Sequence, residues 1–210
     1  MRSKRTLITA AIALFLLTVC YIGLYTKAVF PFDETVARWA MSFRSDTLSP
    51  LLKFITDAYT PLASISFFIA LTSVLVIVRR YREALYFFVT VVGALIVKLY
   101  LKGIIMRPRP PYKIIDIGGY SFPSGHATLS MATGIGLYMI ARHIRGDDGF
   151  SRVVLGFALL WAGLIGFTRL YFGAHWISDV VAGWSLGFAW AYLMAYLFFP
   201  QHLNTKKGRL

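Results

Sequence analysis

A group of cations ends on a double proline step in Lys102-Gly-Ile-Ile-Met-Arg107-Pro108-Arg109-Pro110. Proline stops a helix there, so guanidinium and ammonium groups would converge at a helix end. They repel one another unless an anion sits among them. Phosphate is the natural one, because arginine offers a planar fork matched to its oxygens and lysine adds a point charge. The competing reading of this stretch is that the side chains snorkel to lipid headgroups. A second stretch, Ser121-Phe-Pro123-Ser124-Gly125-His126-Ala-Thr128, precedes an apolar run. Ser124 is placed to cap a helix whose first N–H groups would face a polar surface, a setting that binds anions. Gly125 lets the backbone approach a bound group, and His126 stands in the first turn. By itself such a histidine is an ordinary surface residue. The third stretch is Thr168-Arg169-Leu-Tyr-Phe-Gly173-Ala-His175-Trp-Ile-Ser-Asp179. If His175 and Asp179 share a helix, their i, i+4 spacing puts them on one face, where the carboxylate can hold one imidazole nitrogen and aim the other. That pair reads as a base or nucleophile with its orienting acid, or else as two polar residues solvating a helix end.

Taken together, the stretches supply two histidines, one aspartate, at least three cations and a helix N-terminus, the equipment of a phosphoryl-transfer site. Snorkelling residues would have no reason to assemble that set, provided all three stretches reach the same side of a membrane.

The elements that must position them are membrane helices. Of 210 residues, 58% are hydrophobic and only 15% charged, where ordinary soluble chains carry about a quarter charged. Aromatic residues make up 16%, which excludes disorder. The single Cys20 excludes a disulfide framework, and with four histidines (His126, His143, His175, His202) it argues against a Cys-rich structural zinc site. Six apolar runs are long enough to be read as spans: Leu7–Tyr25, Ala58–Val78, Ala84 through Lys98 to Lys102, Ser124–Ala141, Val153–Thr168 and Val180–Pro200. The first has no small-residue cleavage site after it, so a retained anchor is expected rather than a signal peptide. Between the first two, Val36, Trp39, Ala40 and Phe43 follow helical spacing after a candidate cap at Asp33, which predicts a short interfacial helix. Gly183 and Gly187 form one G-x-x-x-G, read as a helix-packing face within the chain. The expected fold is therefore all-α: a single membrane-embedded domain over residues 1–210, with six transmembrane helices in a bundle and that interfacial helix.

The chain carries 22 Lys+Arg against 9 Asp+Glu, a net charge of +13. With both termini in the cytoplasm of a cell (inner) membrane protein, the start (Arg2, Lys4, Arg5), Arg79/Arg80/Arg82, Arg142/Arg145/Arg152 and the tail (Lys206, Lys207, Arg209) all face inward. Lys102, Arg107, Arg109, Lys113 and Arg169 then lie outside, where positive-inside bias does not account for them. Topology uses up the inner clusters and no interleaved aromatic-basic groove is visible, so no nucleic-acid partner is expected.

The three stretches resemble the signature of the type 2 phosphatidic acid phosphatases, which share their site with vanadium haloperoxidases. Lys102 with Arg109-Pro110 matches the first part, Pro123-Ser124-Gly125-His126 the second, and Arg169, His175 and Asp179 the third. Thr168 stands where the family usually has serine, which bears only on fine positioning, and Arg107 falls outside the signature frame. The resemblance implies a membrane lipid phosphatase that needs no metal or other cofactor. It casts His175 as the nucleophile that becomes a phosphohistidine, Asp179 as its orienting acid and His126 as the acid for the leaving group. Lys102, Arg109, Arg169, Ser124 and Gly125 would hold the phosphate. Its partners would be membrane lipids and a lipid phosphate or diphosphate: undecaprenyl diphosphate, phosphatidylglycerol phosphate, lipid A or phosphatidic acid in type. Transfer of phosphate between two lipids at the same site, or lipid-phosphate binding without turnover, are the alternatives.

Overall fold

The computed structural model describes residues 4–57, 59 and 61–199. Arg2, Pro200, His202 and the tail cations Lys206, Lys207 and Arg209 lie outside the described residues, and of Lys4 and Arg5 only the backbone is described. The described residues hold no strand. They form α1 (Lys4–Tyr25), α2 (Phe30–Met41), α3 (Leu48–Asp57), α4 (Pro61–Ile77), α5 (Tyr81–Ile105), α6 (Gly125–Arg145), α7 (Gly149–Tyr171) and α8 (Ile177–Phe198).

Four of these, α1, α5, α7 and α8, are long and apolar enough to cross a membrane. The other two expected spans are present as helices of a different character. α4 is apolar but only 17 residues long. α6 has 21 residues, but small and hydroxyl-bearing ones such as Ser130, Thr133, Gly134 and Gly136 dilute its hydropathy. The reason is its position: α6 is the bundle's axis, packed by α5, α7 and α8, and α1 lies outside against α8. A helix surrounded by other helices packs through small residues and needs no lipid-facing apolar surface. Gly183 and Gly187 carry this packing on α8. A Cβ at Gly183 would stand 2.6 Å from the Ser124 carbonyl, and one at Gly187 2.3 Å from that of Thr128, so the G-x-x-x-G seats α8 on α6.

Farther along the bundle, Tyr86, Phe87, Ile135, Met139, Ala162 and Ala191 form the main apolar core between α5, α6, α7 and α8. α7 begins at Gly149 rather than near Val153, because Asp148 caps it: its carboxylate accepts from the Ser151 N–H at 2.8 Å, and the Ser151 hydroxyl accepts from the Asp148 N–H at 3.1 Å.

Two short helices, α2 and α3, occupy the segment where one was expected. Asp33 does not cap α2. The helix starts earlier, at Phe30 with Pro31 in its first turn, and Asp33 turns inward with Ala37 and Ala40, while Phe30, Phe32 and Trp39 stay exposed. α3 buries Leu52 and Thr56 and packs against α7. The end of α5, the start of α6, the end of α7 and the start of α8 lie at one end of the bundle, beside α2 and α3.

Candidate active site

α5 ends where Met106 takes a left-handed conformation (φ 46°) and donates its N–H to the Lys102 carbonyl at 3.1 Å. The chain then runs through the Arg-Pro steps and is tied to the segment before α6: the Ser121 N–H donates to the Arg107 carbonyl at 2.8 Å, and its hydroxyl lies 3.0 Å from the Pro108 carbonyl. Lys102 donates to the Tyr120 carbonyl. Arg109 reaches across with Nη1 to the Ala174 carbonyl at 2.7 Å and stands 3.1 Å from His175 Nε2.

Ser124 sits at the N-cap position of α6, as its sequence context predicts, but its hydroxyl caps nothing. It is buried and without a hydrogen-bond partner. Its backbone N–H instead donates to the Asp179 carbonyl at 2.9 Å, which joins the start of α6 to α8. The stem of Lys98, one turn before Lys102 on α5, lies across Gly125: a Cβ there would stand 3.1 Å from its Cδ and 3.3 Å from its Nζ. His126 follows, within electrostatic range of Arg169, His175, Lys98 and Arg109, with the Tyr59 ring 6.3 Å from its own.

α7 closes in a Schellman turn. The Ala174 N–H donates to the Arg169 carbonyl and that of Gly173 to Leu170, both at 2.9 Å, with Gly173 left-handed at φ 64°. The turn folds His175 back beside Arg169. His175 and Asp179 therefore do not meet as neighbours on one helix face, as their spacing suggests. His175 precedes α8, and Asp179, in the helix's first turn, bends back to accept the Trp176 N–H at 2.9 Å. Its Oδ2 lies 3.4 Å from His175 Nδ1.

The Arg109 guanidinium, which can only donate, faces Nε2, so the neutral ring carries its hydrogen on Nδ1; that nitrogen lies 3.4 Å from Asp179 Oδ2 and makes no hydrogen bond. Burial, followed by the charges of Arg169, Arg109 and Lys102, holds the His175 imidazole well below its ordinary value of 6.5, so it is neutral. Arg169 is 1% exposed. Its Nη1 donates to Thr56 at 2.9 Å, while Nε and Nη2 have no partner. The Thr168 hydroxyl is engaged within the protein, 2.7 Å from the Ile165 carbonyl and 3.1 Å from Thr56.

Three groups escape the sequence reading. Arg107, which the spacing leaves without a role, is buried and donates to both Asp179 Oδ1 and Asp33 Oδ2 at 2.6 Å. Asp33 also accepts from the Ser178 N–H at 2.9 Å and its hydroxyl at 2.8 Å. A signal for Asp33 exists: it is one of only nine acids, set in an aromatic stretch. Thr56 carries no such mark.

Beside this constellation, an apolar cavity of about 660 Å³ opens between α4, α5, α6 and α7. Tyr59, Phe68, Val91, Leu129 and Trp161 help line it, so Tyr59 faces both the cavity and His126.

The chain is similar to known proteins. The chain is 25% identical over 167 residues to phosphatidylglycerophosphatase B of Bacillus subtilis (strain 168), covering 79% of this chain and 82% of that protein. Shorter matches join it to an undecaprenyl-diphosphatase of Sulfolobus acidocaldarius (30% over 83 residues; 40% of this chain, 32% of the relative). A lipid A 4'-phosphatase of Bacteroides thetaiotaomicron is 39% identical over 70 residues, 33% of this chain and 28% of the relative. In fold, the chain is similar to the crystal structure of a transmembrane PAP2-type phosphatidylglycerolphosphate phosphatase from Bacillus subtilis, with TM-score 0.81 at 22% identity over 89% of this chain and 94% of that one. It is also similar to Aquifex aeolicus LpxE, with TM-score 0.63 at 19% identity over 76% and 92%. The family model described as the PAP2 superfamily matches residues 83–202, more than half of the sequence and all of Lys102 to Asp179. This chain is a multi-pass membrane protein that belongs to the PAP2 superfamily, whose membrane members among its relatives are lipid phosphatases.

Proposed function

We propose that the chain hydrolyses a lipid phosphate or diphosphate through a phosphohistidine formed on His175, at the extracytoplasmic face of a six-span bundle. The observation that carries this reading is the Arg169 guanidinium, buried, cationic and with two nitrogens unpartnered, while the Ser124 hydroxyl at the head of α6 is buried and unpartnered too. Buried charged donors without hydrogen-bond partners are costly, and an oxyanion bound to them removes the cost. The neutral imidazole of His175, with Nε2 among three cations, is then the atom placed to strike phosphorus.

In the proposed reaction, His175 Nε2 forms a bond to phosphorus as the bond to the leaving oxygen breaks. Asp179 offsets the charge that develops on the ring. Negative charge on the bound phosphate favours the protonated form of His126, which gives its proton to the departing oxygen. Water then cleaves the P–N bond. Lys102, Arg109, Arg169, Ser124 and the Gly125 N–H stabilise the non-bridging oxygens throughout, the electrostatic work on which phosphoryl transfer depends. The substrate's chain lies in the cavity that starts at Tyr59. Arg79, Arg80, Arg82, Arg142, Arg145 and Arg152 all fall at the opposite end of the bundle from the site, and positive-inside bias makes that end cytoplasmic.

The test is phosphate release from long-chain lipid phosphates in detergent by the protein, His175→Ala and Asp179→Asn. Each substitution should cost on the order of a hundredfold or more in rate. Unchanged turnover in a folded variant overturns the assignment. Phosphate appearing only on a second added lipid identifies a transferase, and no phosphate movement at all identifies a binder.

A further inference from the structure

The site holds one cation more than the phosphate-binding set just described. Lys98 and Lys102 are four residues apart on α5 and so share a face. Lys98 bends over the first residue of α6, its Nζ 3.3 Å from where a Gly125 Cβ would stand, and interacts electrostatically with both His126 and Lys102. Its ammonium makes no hydrogen bond or ion pair among the described residues. Nearby acids are already taken: Asp179 by Arg107 at 2.6 Å, and Asp57, which Arg169 senses, by Lys53 at 2.9 Å. Four basic side chains (Lys98, Lys102, Arg109 and Arg169) thus lie within electrostatic range of Lys102 or His126 near the start of α6, where the Ser124 hydroxyl is buried and unpartnered. A ligand richer in negative charge than one phosphate ester offsets the mutual repulsion of these groups more fully than a monoester does.

We propose that Lys98 is a specificity-determining residue that binds the second phosphate of a diphosphate substrate. This rests on the reading above and deepens it. Lys98 stands beside His126, on the side where the leaving group departs. With a lipid diphosphate, His175 Nε2 bonds to the terminal phosphorus and the bond from that phosphorus to the bridging oxygen breaks. The electron pair leaves with the lipid monophosphate, whose oxygen takes the His126 proton and whose remaining charge Lys98 offsets. With a monophosphate the leaving group is an uncharged alcohol, and Lys98 has nothing to offset.

The experiment compares kcat/KM for a polyprenyl diphosphate and the monophosphate of the same chain in the protein, Lys98→Met, which keeps the stem over Gly125, and Lys98→Arg. Hydrogen bonds between charged partners are worth enough that Lys98→Met should lower the diphosphate preference about tenfold or more, while Lys98→Arg keeps it. In parallel, calorimetry with methylenediphosphonate and methylphosphonate reads binding without turnover, and the preference for the former should vanish in Lys98→Met. Inorganic pyrophosphate as a competitive inhibitor separates sources: weaker inhibition of Lys98→Met together with a retained lipid preference would assign the residue to free pyrophosphate and overturn the lipid role. A diphosphonate preference that survives Lys98→Met overturns the proposal outright. A parent protein that releases no phosphate yet loses its diphosphonate preference on Lys98→Met sinks the hydrolase reading and leaves the role of Lys98 standing.

Discussion

Arg107 donates to Asp179 at 2.6 Å with one nitrogen while the other holds Asp33 at the same distance, so the acid behind His175 is tied to the short helix α2. The Trp176 ring lies 5.4 Å from the same guanidinium and shields it from solvent. Replacing Arg107 with Met leaves two carboxylates buried and unmatched, which should destabilise the protein by about 3–5 kcal/mol. Asp33→Asn in the same chain should recover part of that loss, because one orphaned charge disappears with it. Thermal or denaturant unfolding in detergent of both single variants and the double measures the coupling. Strict additivity would mean that the two groups do not act on each other.

Gly173→Ala tests whether the turn after α7 sets the position of His175, the proposed nucleophile. At φ 64° an alanine pays about 1–2 kcal/mol of backbone strain. Its Cβ would also stand 2.8 Å from the Tyr112 carbonyl and 2.9 Å from Arg44 Nη2. Since His175 lies two residues on, kcat should fall more than KM rises. A variant with lower stability but parental kcat would show that the imidazole keeps its place without the turn.

The neutral state of His175 predicts a pH dependence of stability. Its folded-state value lies below the ordinary 6.5, chiefly through burial and then through Arg169, Arg109 and Lys102. Between those two values the unfolded chain binds a proton that the folded one does not, so stability rises with pH there. This contribution is complete above the unfolded value and is lost as pH falls from it through the folded one. Melting temperatures of the parent and His175→Gln between pH 8 and pH 5 should diverge in slope below about pH 6.5, the parent falling faster. Parallel curves would mean that the imidazole accepts protons as readily in the fold as outside it.

Filling the apolar cavity should separate chain recognition from chemistry. Val91→Trp places an indole in the space between α4, α5, α6 and α7. KM for a long-chain substrate should rise about tenfold, the equivalent of burying roughly two fewer methylenes. Turnover of a short, water-soluble phosphate ester should stay unchanged. An equal loss on both substrates would place the chain elsewhere.

Much of the site can be read along the sequence because its groups come in three runs, each ending or starting a helix. Proline after Lys102, the Ser-Gly pair before His126 and the glycine between Arg169 and His175 mark those boundaries, and side chains beside them reach one end of the bundle. What spacing cannot convey is contact between remote segments. Asp33 and Thr56 stand on helices whose amphipathic patterns describe a surface, yet each turns one polar group inward to a buried arginine. The same limit explains why His175 and Asp179 are neighbours for a different reason than i, i+4 spacing implies: a turn brings the ring back, and the carboxylate bends to meet it. Hydropathy read α6 as a span like the others, whereas its central position is recorded only in the small residues that let α8 approach.

The single main-chain bond from the Ser124 N–H to the Asp179 carbonyl has a mechanical consequence. It bolts the strut bearing His126 to the strut bearing Asp179 through backbone atoms, so among substitutions at residue 124 only proline would take away the donor. A tilt of one against the other, whether from a thinner bilayer or a crowded detergent belt, strains that joint first.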